Sequence, residues 1–237
     1  MKLRFTNQKN SAFTLLDLVV VVVILLLFMF IIFFVTVAPT AKERAVRLNC
    51  VSNLKQDGIA AHIWAGDNNN LYPMQVSVTN GGAMELIATN NVAGFFQVMS
   101  NEITTTCLLM CPVAMLVTYP TNDYTGFGPD FCNKNISYFV GVEANESYPR
   151  RLMFGDDNFE INGTSIPSGV AQVFKNVPIT WDSGRHDAQT HVPFLGLRHN
   201  YCGNIGFADG SVAEVSTFRL QQDLIQTGLA TNRFAIP

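Results

Sequence analysis

Three histidines and three aspartates gather toward the C-terminus: His186, His191 and His199, with Asp182, Asp187 and Asp209. Imidazole and carboxylate are the donors of hydrolytic metal centres. Such centres rely on spacings that put two ligands on one face of an element, as His-Glu-x-x-His does, and these intervals match no such pattern. The chain also has no nucleophile elbow and no phosphate-binding glycine loop. The sequence therefore reads as a non-enzyme, with a periplasmic metal-dependent hydrolase as the least supported alternative.

Asp156, Asn158 and Glu160 alternate oxygen-bearing side chains ahead of Asn162 and Gly163. That echoes a calcium loop, but Gly169 stands where the bidentate glutamate would close it. A solvated turn is the simpler reading, and calcium is the only cofactor the sequence suggests. The five cysteines are Cys50, Cys107, Cys111, Cys132 and Cys202. In an oxidising compartment an odd number leaves one thiol over. A Cys50–Cys111 bridge would tie the helix to the sheet, and buried thiols are the alternative. Three sequons, at Asn135, Asn145 and Asn162, admit a rival reading as a eukaryotic type II membrane glycoprotein.

One carboxylate stands apart. Asp17 is followed by 18 apolar residues without a break. Buried in lipid it would cost about 2.5–3.5 kcal/mol. As a first-turn residue it would instead complement the helix dipole at little cost. Leu18–Ala38 holds 21 residues with Thr36 as the single polar one. At ~1.5 Å per residue that length crosses a hydrocarbon core of about 30 Å. In lipid only a helix satisfies each backbone group within the segment, so five consecutive valines do not make it a strand. The apolar core of a cleaved secretory signal is shorter. The net charge of −3 and pI near 5.8 exclude a nucleic-acid surface, which needs basic character.

Downstream, Thr40–Ala65 repeats at helical period. Cys50, Val51, Leu54, Gly58, Ala61 and Trp64 share one face, with Asp57 inside the same stripe. Pro39 is expected to kink or loosen the junction with the span. Short strands are expected at Gln75–Val78, Leu108–Cys111, Ser137–Val142, Leu152–Phe154, Ile205–Ala208 and Val212–Val215. Residues 83–102 read as one or two short helices, and 217–228 as a C-terminal helix ended by Gly228. Asp209-Gly210 between two apolar runs is a hairpin signal. The fold class is α+β: a long N-terminal helix, half transmembrane and half amphipathic, packed on an antiparallel sheet.

The leader and "FTLLDLVVVVV" resemble the N-terminal signal of type IV pilins and type II secretion pseudopilins. "RLNCVSNLKQDGIAAHIWAGDNNNLYPM" (47–74), "SYFVG" (137–141), "LMFGDDN" (152–158) and "HNYCGNIGFADGSV" (199–212) extend the resemblance along the chain. In the last stretch His199, nine residues, then Asp209-Gly210 match the spacing of the prepilin-processing-associated domain. The resemblance implies a leader at 1–12, a transmembrane helix at 13–38, its amphipathic continuation at 39–66 and a globular domain at 67–237. It implies cleavage by prepilin peptidase between Ala12 and Phe13, methylation of the new terminus, and pairing of Asp17 with a neighbour's Phe13 amine. The family has Gly and Glu where this chain has Ala12 and Asp17, and usually an aliphatic residue at Asp57. The implied partners are pilin-like subunits, the peptidase and an inner-membrane assembly platform. The implied location is the bacterial inner membrane, N-terminus cytoplasmic and globular domain periplasmic. The alternative is a membrane-anchored binding or adhesion module that never polymerises.

Overall fold

The computed structural model describes residues 15–112, 114, 126–182 and 201–237, and only the backbone within 33–43. The chain divides into two compact units, Met1–Arg44 and Ala45–Pro237. Helix α1 (Leu15–Asp67) begins in the first and ends in the second. Its window Leu15–Ile32 has a mean hydropathy of 3.4, and none of it is buried within the chain. Asp17 is the single polar residue of this stretch, so beyond it the helix has no polar face to turn to water. Pro39 lies inside α1 and does not end it.

In the second unit α1 becomes amphipathic. Cys50, Leu54, Asp57, Gly58, Ala60, Ala61, Trp64 and Ala65 are buried along one side, while Lys55, Gln56 and Ile59 are exposed. Two short helices follow, α2 (Met84–Ala88) and α3 (Val92–Val98). The side chain of Asn91 caps α3 by accepting from the Gly94 N–H at 2.8 Å. The strands, in chain order, are β1 (Tyr138–Gly141), β2 (Leu152–Asp156), β3 (Phe159–Ile161), β4 (Thr164–Ser165), β5 (Gly169–Phe174), β6 (Ile179–Trp181), β7 (Cys202–Phe207), β8 (Val212–Ser216) and β9 (Thr231–Ile236). Helix α4 (Thr217–Gln226) precedes β9, and Gly228 follows it at φ +76°, as expected for its stop.

Six strands form an antiparallel sheet in the order β5-β9-β1-β2-β7-β8. A smaller sheet has the order β4-β3-β6. Side-chain alternation splits the core in two. Tyr138, Val140, Met153, Phe154 and Ala235 pack with α1 and with Phe95 and Phe96 of α3. Phe139, Ile205, Phe207, Val215, Phe234 and Ile236 pack with Trp181 of β6 and with Leu220 and Leu224 of α4. Leu152 joins the second cluster and Phe154 the first, although two residues apart they would normally share a face. A register shift between them against β7 accounts for the switch.

Two of the expected strands are not strands. Around 75–78 the chain makes two 3₁₀ turns, Pro73–Gln75 and Val78–Asn80, and around 108–111 it makes Thr106–Leu109. Proline at the first position, and oxygen caps from Ser77 and Thr105, favour a turn over a ladder. The strands at 138–141, 152–156, 202–207 and 212–216 and the helices of 83–102 are present at or near the expected places. Strands β3 to β6 and β9 are additional.

Candidate functional site

The turn between β7 and β8 carries the Asp-Gly pair. The Asp209 carboxylate accepts from the Ser211 N–H at 2.8 Å and from the Ser211 hydroxyl at 2.5 Å. Gly210 has φ +73°, a conformation that favours glycine. The turn abuts α1. Lys55 donates to the Gly210 carbonyl at 2.5 Å, and the Tyr72 hydroxyl donates to the Ala208 carbonyl at 2.6 Å. A Cβ on Gly210 would come within 3.0 Å of His62 Nε2. The His62 ring meets Tyr72 edge-on at 5.4 Å, and its Nδ1 lies 3.9 Å from a Glu146 oxygen. Burial first, then the charges of Glu146 and Asp209, push the Tyr72 hydroxyl pKa up. Partial burial would raise Asp209, but the Ser211 hydrogen bonds and the Arg150 charge outweigh it and hold the carboxyl below its usual value. This cluster anchors a hairpin tip to a helix, and Asp209 acts within its own turn.

A second polar group lies in the core between α1 and the sheet. Asp57 is fully buried, and neither of its oxygens has a hydrogen-bond partner among the described residues. Tyr138, also fully buried, has a hydroxyl with no hydrogen-bond partner among the described residues. Burial first, then Cys111, Cys50, Asp156 and Asp57, raise its pKa well above the usual value. Asp156 is anchored: its carboxylate accepts from the Asn204 backbone at 2.7 Å and from the Asn204 side chain at 2.9 Å. The Cys111 N–H donates to the Ser137 hydroxyl at 2.6 Å.

Asp17 occupies the first turn of α1 and is exposed. Ala12, Phe13, His186, Asp187, His191 and His199 lie outside the described residues, so of the His199, Asp209-Gly210 motif only the Asp-Gly pair is described. The calcium candidates do not converge. Asp156 is committed to Asn204 in the core, Asn158 donates to the Asp182 carbonyl at 3.2 Å, and Glu160 faces Thr180 at 3.5 Å across β3 and β6. The turn of Asn162 and Gly163, at φ +52° and +71°, is instead a two-residue hairpin joining β3 and β4. No metal-holding group of three or more His, Cys, Asp or Glu occurs among the described residues. Cys50 and Cys111, the expected bridge, are both buried in the core cluster between α1 and the sheet, and both act on Tyr138.

Sequence reasoning did not find Tyr72, His62, Tyr138 or Asn204. One signal was available: Asp57 interrupting an apolar stripe, which calls for a partner or a neutral form. No family model, curated protein or solved structure matches the chain.

Proposed function

We propose that the chain is a pilin-like or pseudopilin-like structural subunit, anchored in a bacterial inner membrane and assembled with similar subunits through its N-terminal helix. The observation that carries this reading is the Leu15–Ile32 window, with mean hydropathy 3.4 and no residue buried within the chain. A helix that is apolar on all sides beyond Asp17, and exposed over Leu15–Ile32 among the described residues, needs lipid or other helices around it. The same helix, as α1, supplies the residues that pack against the six-stranded sheet in the second unit. The motif resemblance supplies the finer roles. Prepilin peptidase cuts between Ala12 and Phe13, and Asp17 pairs with the Phe13 amine of a neighbouring subunit. Two opposite charges held together are far cheaper in lipid than one alone.

The deciding measurement is the mass of the mature N-terminus of membrane-extracted protein. A chain starting at a methylated Phe13 is expected, and a chain that retains Met1 overturns the processing step. Asp17→Ala should leave cleavage intact while abolishing assembled filaments. Normal filaments from that variant would remove the pairing role of Asp17.

A further inference from the structure

Asp57 sits on the sheet-facing side of α1 among Leu54, Ala60 and Ala61, all buried to 2% exposure or less. Asp57 is one of the groups that act on Tyr138 of β1, together with Cys50 from α1, Cys111 from the segment before β1 and Asp156 from β2. Each is neutral or negative, so none can balance a charge on Asp57. The cations of this part of α1 are directed elsewhere. Arg47 pairs with Glu214, Lys55 binds the Gly210 carbonyl, and His62 faces Tyr72 and Glu146. Among the described residues, a carboxylate here would be a buried charge with neither hydrogen bond nor counterion.

We propose that Asp57 makes the docking of α1 on the sheet proton-dependent: the packed helix holds Asp57 as the neutral acid, and loss of that proton drives the helix segment off the sheet. The proposal is independent of whether the chain assembles, because it follows from burial. Burial alone holds the carboxyl well above its ordinary value of 3.8. The sign follows from linkage. Below that ordinary value the docked and released forms both hold the proton, and Asp57 contributes no pH dependence. Between it and the raised value of the docked form, the docked form holds one more proton. Docking then weakens by up to about tenfold per pH unit as pH rises. Above the raised value the dependence ends. The helix is therefore held most tightly on the acid side.

The test uses the full chain in detergent micelles. Urea unfolding is followed by Trp64 emission from about pH 5 to about pH 9 for the wild type, Asp57→Asn and Asp57→Leu. The wild-type folding constant should fall with pH across part of this range, by up to about tenfold per unit, relative to both variants. Parallel curves for all three proteins overturn the proposal. Infrared spectroscopy supplies a readout that does not depend on the variants folding. The wild type at neutral pH should show the stretch of a protonated, weakly hydrogen-bonded carboxyl, and its loss on alkalinisation should track the change in Trp64 emission. Absence of that band at neutral pH also overturns the proposal.

Discussion

Asp156→Ala removes the acceptor for two buried donors at once. The Asn204 N–H, at 2.7 Å, and the Asn204 amide, at 2.9 Å, both terminate on one carboxylate oxygen. Asp156 and Asn204 are each fully buried, so water cannot replace the lost oxygen. Leaving a buried donor unsatisfied costs about 1–3 kcal/mol, so the pair should cost about 2–6 kcal/mol. For a chain of this size each kcal/mol lowers Tm by about 2–4 °C, which puts the central expectation near a 10 °C fall. The assay is thermal unfolding of the detergent-solubilised protein, followed by tryptophan emission. Trp64 reports on the core between α1 and the sheet, and Trp181 on the opposite core. Asn204→Ala removes only the side-chain donor and should cost less. Adding it to Asp156→Ala should cost less than the sum of the two single changes, since they share a bond. A fall of under about 2 °C for Asp156→Ala would refute the claim that this carboxylate anchors β7 to β2.

Gly203→Ala should destabilise by about 1–3 kcal/mol, because the new Cβ would lie 2.4 Å from the Trp181 ring; denaturant titration reads it, and Trp181→Leu should relieve part of the loss. Gly210→Ala should cost about 1–2 kcal/mol through its φ of +73° and its contact with His62, and His62→Ala should recover only the contact share. Asp209 is held below its ordinary value of 3.8, so its contribution is present above that value and lost as pH falls through the depressed one. Stability curves of wild type and Asp209→Ala should therefore converge toward low pH, and a constant gap across the acid range would contradict this. Tyr72→Phe removes a 2.6 Å hydrogen bond to Ala208 and should cost about 1 kcal/mol, read by the same titration.

Several elements were legible because their causes are local. The apolar run of α1, the helical stripe from Cys50 to Trp64 and the Gly228 stop each depend on residues within a turn or two of one another. The Asp209-Gly210 hairpin is likewise set by a backbone conformation that glycine permits. Strands β5 and β9 were not legible. Their ladder pairs Gly169 with Ile236 and Phe174 with Thr231, far apart in the chain, and no local pattern announces such a partner. The apolar run Leu108–Cys111 imitated a strand because burial without a neighbouring strand also selects apolar residues, whereas Gln75–Val78 alternates polar with apolar like a strand but is part-exposed and forms 3₁₀ turns.

The candidate site divides in the same way. By itself the sequence determined that the N-terminal segment is apolar on all sides, that Asp17 stands at its start, and that Asp57 falls among residues bound for a core. These follow from residue type and period alone. Only the tertiary structure decided that the Asp156 carboxylate accepts from Asn204, and that Asp57 is buried with no hydrogen-bond partner for either oxygen among the described residues. The reason is physical. The state of a buried charge is set by the groups that surround it in space, and those arrive from α1, β1, β2 and β7, whose convergence no single stretch of chain encodes.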